Sequence, residues 1–420
     1  MTQAFGHATI VGYGHQSVFG TGVVPSAFLE ALQESMQLTQ SAVRQGTLAR
    51  AGMLRYTKSK RMVGGAISHY MPYQGAELLL LHATGGTPQS AQIGSTGVYT
   101  HTFVLGEKLP EAGLSVFVGR DGVAAGVGDA MRYDSCQVGD LTLTQDLEGR
   151  MVLALELEGR EETLVNTAAP TYPTAPEVDW TELTTLSVDG GSPITVNASL
   201  AEFKISNPLA DDRFKLGSRL RKGLGRGGQR EVTGKLALEF DSLAEYNLFR
   251  ALTECSIEAE WTGAIAAGST PYKFRISIPR AVFSGTTPNA TEAGPISFEM
   301  PFDCFIGDGD ADEITIELDN LLTSVTQALP GAPLNGSATQ ASSTQIDLAW
   351  TDGAGTDDVY IWMSLTPNVN ETTEIDSVAA AAEAYSATGL TTATDYYFWL
   401  QSENEVGRSA KAGPFTATTA

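Results

Sequence analysis

The chain has 420 residues, 26 basic and 49 acidic, for a net charge of -23, so contact with nucleic acid has to come from a local patch, which argues against a DNA-binding enzyme or repressor. Such a length is long for one core and predicts two to four domains; with 44 glycines, 18% charged residues and short alternating segments between turn signals, it points to β structure with few helices. Cys136, Cys255 and Cys304 are odd in number and far apart, which fits reduced thiols and suggests neither a disulfide framework nor a CxxC metal site.

The first residues, MTQAFGHATIVGYG, lack the basic and apolar regions of a signal peptide, and no stretch approaches ~20 apolar residues, so a soluble chain made in the cytoplasm is expected. From Gly12 to Glu34 glycines bracket short apolar pieces and read as turns; the Lys-Ser/Thr ending of a phosphate-binding loop is missing.

Next comes the stretch Arg44–Arg61, with six basic residues, among them Arg50 and Arg55, and no acidic one. At an offset of 169, Arg44, Arg50 and Arg61 fall on Arg213, Arg219 and Arg230, while Val63 and Gly65 fall on Val232 and Gly234. The second basic loop also carries Arg221 and Lys222. After the first loop Gly64–His69 reads as a strand and Ala76–Ala83 as a short buried helix. After the second, Leu236, Leu238 and Phe240 alternate with polar residues as one buried strand face does. Ser242 and Glu245 then have capping-box spacing, opening a helix with Leu248, Phe249 and Leu252 on one side. Each half continues into a strand led by a tyrosine, Tyr99 or Tyr272. Each ends in a strand in which Met151, Leu153, Leu155 and Leu157 match Ile296, Phe298, Met300 and Phe302. A duplication follows, with a first domain over 1–170 and a second over 171–328; the proline-rich 167–180 reads as an extended linker between them.

Beyond a second boundary at 328–333 the pattern changes. Ile346, Leu348 and Trp350 alternate inward, Tyr360 and Trp362 begin another strand, and Leu390, Thr394 and Tyr396 have the spacing of a tyrosine corner. Residues 329–420 resemble a fibronectin type III domain, which implies a β-sandwich around Trp350; the long Ala-rich loop from Thr366 to Ala384 departs from that pattern.

Catalytic and metal motifs do not emerge. The histidines His7, His15, His69, His82 and His101 stand singly, with no HExxH, and read as structural; no G-x-S-x-G elbow occurs, and neither an enzyme nor a cofactor is expected. Asp308, Asp310, Asp312 and Asp319 echo a calcium loop, yet Glu313 stands where its turn needs glycine, so an acidic turn before a strand is the better reading.

FGTGVVPSAFLEALQES near the N-terminus, the doubled β unit with its long basic loop and the appended sandwich together resemble the tail tube, or major tail, proteins of long non-contractile-tailed bacteriophages. The resemblance implies a mainly β chain: two tandem tail-tube-type sandwich or barrel domains, each with a short helix, plus a C-terminal sandwich. It implies a structural virion protein that forms stacked rings, three chains supplying six domains, around a channel for DNA. Tape-measure and terminator or tip proteins would be further partners, and no membrane insertion is implied. Glu156, Glu158, Glu239, Asp241, Glu299 and Asp303 are candidates for the channel lining, with ordinary solvated strand faces as the alternative. The basic loops keep three readings: contact with an acidic neighbouring ring, a solvated face, or direct contact with DNA. A virion or surface adhesin binding through its last domain is the competing function.

Overall fold

Alternation of apolar and polar residues along β-strands sets the architecture, because it gives each strand one face to bury and one to leave in water. The computed structural model describes residues 5–45, 48, 51–52, 55–121, 130–166, 170–191, 194, 198–241, 243–289, 296–309, 312–325, 331–353, 356, 358–369, 372–404, 407–409 and 411–420. The chain forms two compact units, Met1–Val325 and Thr326–Ala420.

In the first half of the larger unit the strands are β1 (Phe5–His15), β2 (Ala27–Leu29), β3 (Ala31–Glu34), β4 (Gln37–Thr39), β5 (Ala42–Gln45), β6 (Arg55–Lys58) and β7 (Met62–Tyr70). Helix α1 (Glu77–Thr84) is followed by β8 (Gln89–Gln92), β9 (Tyr99–Phe103), β10 (Leu114–Asp121), β11 (Ala130–Asp146), β12 (Val152–Gly159) and β13 (Glu161–Val165). The second half has β14 (Leu183–Val188), β15 (Ala198–Ser206), β16 (Glu231–Glu239), helix α2 (Ala244–Ala251), β17 (Glu254–Ala267), β18 (Thr270–Phe283), β19 (Ser297–Cys304) and β20 (Thr315–Asn320).

The two halves repeat one ladder. In the first, β7 pairs with β3 and β4 on one side and β12 on the other, and β12, β11, β10 and β1 follow in order. In the second, β16 lies between β15 and β19, followed by β18, β17 and β14. Registers agree residue for residue: Leu38 opposes Val63 as Ile205 opposes Val232, and Gly64 opposes Glu158 as Thr233 opposes Asp303. Even the irregularity between Ala31 and Gln33 recurs between Ala198 and Leu200. A β-bulge bends its strand and raises the local twist, so both ladders turn at the same rung.

Both copies also need glycine at the same rung. A Cβ on Gly65 would lie 2.5 Å from the Ser35 carbonyl, and one on Gly234 would lie 2.4 Å from the Glu202 carbonyl and 2.3 Å from the Phe302 ring.

The halves are joined rather than merely adjacent. The C-terminal part of β11 pairs with β15, from Asp140 opposite Ser206 to Asp146 opposite Leu200. At the other side β9 pairs with β20, and β8 with β9. One hydrophobic cluster runs through both halves, from Val11 and Leu80 to Trp261, Phe302 and Leu318. Polar side chains fasten the seam: Asn207 Nδ2 donates to the Ala83 carbonyl (2.9 Å), while Asn320 Nδ2 donates to the Tyr73 carbonyl (2.9 Å) and Glu77 (2.6 Å).

Several sequence expectations are corrected here. Gly12 and Gly14 lie inside β1 rather than in turns. The Tyr99 strand is β9, an insertion that the second half lacks; the counterpart of β18, which contains Tyr272, is β11. Helix α2 has Leu243 at its N-cap with no side-chain cap of its own, and the expected Ser242–Glu245 box falls on Ser242, which lies outside the described residues. Leu252 ends that helix in a left-handed conformation and is exposed, while Leu248 and Phe249 pack on the core. In the expected linker Val178 exchanges backbone hydrogen bonds with Met71 and Met151, which pins it; residues 167–169 lie outside the description.

The smaller unit is a two-sheet sandwich. Its strands are β21 (Leu334–Ser342), β22 (Gln345–Thr351), β23 (Asp358–Ser364), β24 (Thr373–Ala379), β25 (Ala384–Thr388), β26 (Asp395–Asn404), β27 (Gly407–Arg408) and β28 (Ala412–Thr418). One sheet has the order β21-β22-β25, the other β24-β23-β26-β27 with β28 also on β26. Ile346, Leu348 and Trp350 are buried together with Val359, Ile361 and Phe398. The Tyr396 hydroxyl accepts the Thr391 N–H (2.9 Å), which closes the tyrosine corner.

Two outcomes follow for stability. Gly234→Ala costs about 2 kcal/mol by overpacking against a carbonyl that cannot retreat, measurable by urea denaturation. The second concerns His69, which donates from Nδ1 to the Glu30 carbonyl (2.8 Å) and accepts from the Tyr13 hydroxyl at Nε2 (2.6 Å); burial lowers its pKa to about 4. A folded pKa below the unfolded one means that the unfolded state takes up the extra proton. This stabilisation is therefore complete above about pH 6.5 and is lost as the pH falls toward 4. Urea midpoints at pH 7 and 4.5 should show His69→Gln losing about 2 kcal/mol less than wild type over that interval.

Candidate functional site: an acidic sheet face and two basic loops

Because paired residues point to the same side of a sheet, the registers define a single outward face across β4, β7, β12, β11, β15, β16 and β19. Its other side is core: Ile67, Leu155, Leu141, Phe203, Leu236 and Met300 are all buried. On the outward side stand Asp140, Glu156, Glu158, Glu202, Glu231, Glu239, Glu299 and Asp303, with Lys204 and Lys235 among them. Glu156 lies directly opposite Asp140, a repulsive pair that Lys204 relieves by approaching Asp140 to 2.7 Å. Glu202 lies opposite Lys235, which also comes within 4.0 Å of Glu299. Carboxylates thus dominate a face that spans both copies.

Five of the six sequence candidates for a channel lining are on that face: Glu156, Glu158, Glu239, Glu299 and Asp303. Asp241 is exposed just past the end of β16. Sequence reasoning missed Asp140, Glu202 and Glu231, although the same period-two alternation would have found them.

The basic loops are less alike than their sequence offset suggests. In the first, Arg44 and Arg55 sit on the exposed β5–β6 hairpin, while Arg61 reaches Glu161 at 3.5 Å; Arg50 lies outside the described residues. In the second, Arg213 and Lys222 are exposed, whereas the remaining arginines are tied inside the chain. Arg219 donates to the Ser59 carbonyl (2.7 Å) and Gln40 (2.9 Å), so the two loops touch. Arg221 is only 2% exposed and meets Glu158 at 2.8 Å and the Gly159 carbonyl at 3.2 Å. Arg230 bridges the Gly106 carbonyl (3.0 Å) and Glu313 (2.6 Å). Arg226, overlooked in the sequence, joins Asn207 (2.9 Å) to the Glu107 carbonyl (3.0 Å). Lys222 lies against Lys215 and Arg213, and this like charge lowers its pKa. Of the nine loop cations singled out in the sequence, only Arg44, Arg55, Arg213 and Lys222 are exposed among the described residues, beside Lys58, Lys60 and Lys215.

Beside the Glu158–Arg221 pair runs an open groove of about 570 Å³ floored by Gly64, Gly65 and Ala66. Elsewhere, Tyr13 covers His69, Ser90 and Asn320 hold His101, and His15 Nδ1 lies 3.0 Å from His82 Nε2, whose pKa burial lowers to about 3. Imidazoles held in this way are structural. Among the described residues no three His, Cys, Asp or Glu side chains converge on a metal site, and Asp319 is engaged by Thr100 at 2.6 Å; Asp310 lies outside the description. No helix among them is long and apolar enough to cross a membrane.

Comparison with known proteins gives one extended match, a phage tail tube protein family aligned over residues 6–304. The chain belongs to that family. Its role is accordingly a structural one in the phage tail. The match takes in both copies of the repeated ladder and stops short of the smaller unit. No curated protein matches the chain. Solved structures similar to it include FN3tt (21% identity over 22% of this chain and 96% of that one, TM-score 0.20). Others are an Fn3-like protein from Clostridium thermocellum (20% identity, 21% and 92% coverage, TM-score 0.20) and the fn3 domain of human collagen alpha-1(XX) (19%, 23% and 90%, 0.20).

The loop geometry yields a contrast. Arg221→Ala should cost about 2 kcal/mol, less than for a fully buried pair because Glu158 keeps 38% of its side-chain exposure. Arg55→Glu should leave the unfolding free energy from urea denaturation within about 0.5 kcal/mol of wild type, since that side chain is exposed and forms no ion pair among the described residues.

Proposed function

We propose that the chain is the subunit of a phage tail tube, assembling into rings of three chains and six tube-type domains that stack into a hollow filament. The observation that carries this reading is the repeated ladder, with one register in both copies and a shared acidic face, in a chain of the tail tube family. On this reading the tandem domains of 1–170 and 171–328 are repeats knit into one compact body, and residues 329–420 are an appended sandwich.

The physics supports the acidic face as the wall of the channel. DNA carries one charge per about 1.7 Å of its axis, so a basic wall would bind it by releasing counterions and slow its transit. A carboxylate wall repels the phosphates and keeps the passage free of adhesive contacts. Exposed Arg44, Arg55, Arg213 and Lys222 then serve contacts between copies, since a head-to-tail contact that does not close on itself yields a filament. Partners would be further copies of the chain, a tape-measure protein inside the tube and terminator or tip proteins at its ends. The site of action would be the virion tail, after synthesis in the host cytoplasm.

Negative-stain microscopy of concentrated protein should show rings or hollow tubes, both for the full chain and after deletion of residues 326–420. A chain that stays monomeric and fails to enter tails would refute the reading. Tubes that require the last unit would favour an assembly, or an adhesin, organised by the sandwich.

A further inference from the structure

The two copies of the ladder are alike except where one is finished and the other is not. In the first copy the hairpin of β11 and β12 is paired over its whole length, from Gln137 opposite Glu158 to Thr144 opposite Val152. Outside it, the second copy's β15 pairs with β11 over Asp140–Asp146. In the second copy the equivalent hairpin opens early. Pairing of β18 with β19 covers only Ala281, Val282 and Phe283, followed by one bond from Ser284 N–H to the Pro301 carbonyl. Among the described residues Gly285–Asn289 then has no ladder partner and is largely exposed, its Thr287 hydroxyl 3.4 Å from that of Tyr246.

The strands that would complete it are also unpaired on one side. By register, β3 and β4 are the counterparts of β15, yet among the described residues they pair only with β7, whereas β15 pairs with both β16 and β11. One chain thus presents an unfinished hairpin at one place and the strand edge that finishes such a hairpin at another. Because both belong to one repeat, the occupant fitting each is a second copy of this chain.

From this geometry we infer that Gly285–Asn289 is a joint between chains. It pairs antiparallel with β3 and β4 of a second copy, as Asp140–Asp146 pairs with Leu200–Ser206 within one chain. The inference rests on the tail tube reading and names its contact surface. Charge agrees with it. Inside the chain, Arg221 of the second basic loop lies against Glu158; the register counterpart of Glu158 is Asp303, which is exposed. Loop positions equivalent to Arg221 fall just before Arg55, an exposed cation on the hairpin that follows β4. Arg55 of the second copy would meet Asp303.

The test is cross-linking of assembled full-length protein. Gln37→Cys, paired in turn with Thr286→Cys and Thr287→Cys, brackets the register, since residues opposed across strands have Cβ atoms about 5 Å apart. Mild oxidation should convert at least one double variant to covalent dimers and trimers, with each single variant remaining monomeric on a non-reducing gel. As a second measure, Arg55→Glu and Asp303→Arg should each raise the concentration needed for assembly about tenfold, and the double variant should restore it. Tubes that form without either cross-link and without charge-swap rescue would overturn the joint while leaving the tail tube reading intact. Wild-type protein that never assembles would remove both.

Discussion

The pairing of β11 with β15 is the contact on which the larger unit depends. Two copies of a ladder, each with a buried and a wetted side, could have remained separate domains with separate cores. Hydrogen bonding from Asp140–Asp146 to Leu200–Ser206 instead makes their sheets continuous. Continuity has two results at once: the buried sides merge into one hydrophobic cluster, and the wetted sides merge into one field of carboxylates. Neither half alone would present that field.

Electrostatics and packing are arranged so that they do not compete. Leu153, Leu155, Leu157, Phe298, Met300 and Phe302 are buried, and the acids alternate with them along the same strands. Period-two geometry keeps the charges in water, where repulsion between them is weak and screened by salt. The exception is Arg221, drawn under the surface beside Glu158 where the second loop folds over the end of β12. A cation placed there fixes the loop. It cannot also reach outward, which is why a count of basic residues overstated the charge available for contact.

Much of this was legible in the chain. Alternation at Leu236 and Leu238, and at Met151–Leu157 against Ile296–Phe302, located strands and their matching register, because burial of one strand face is written directly into residue order. Trp350 and the tyrosine corner located the sandwich for the same reason. What escaped was nonlocal. Whether Arg219 points outward or toward Ser59 depends on a segment 160 residues away, and the roles of Asn207 and Asn320 depend on carbonyls of α1 and its approach. Single polar residues carry no periodic signal. The match of Tyr99 to Tyr272 failed because an insertion and a repeat element can both be strands led by an aromatic residue.

The β8–β9 hairpin has one more consequence. It covers the edge of β20, while the second half passes from α2 at Ala251 to β17 at Glu254 with no room for such an element. Among the described residues the edge of β13, the counterpart of β20, receives no matching cover from the second half. The two halves are thus chemically distinguishable from outside, however exactly their ladders agree. Any closed assembly of this chain therefore repeats its surface once per chain and not once per domain, and a binding partner can tell odd positions from even ones around its circumference.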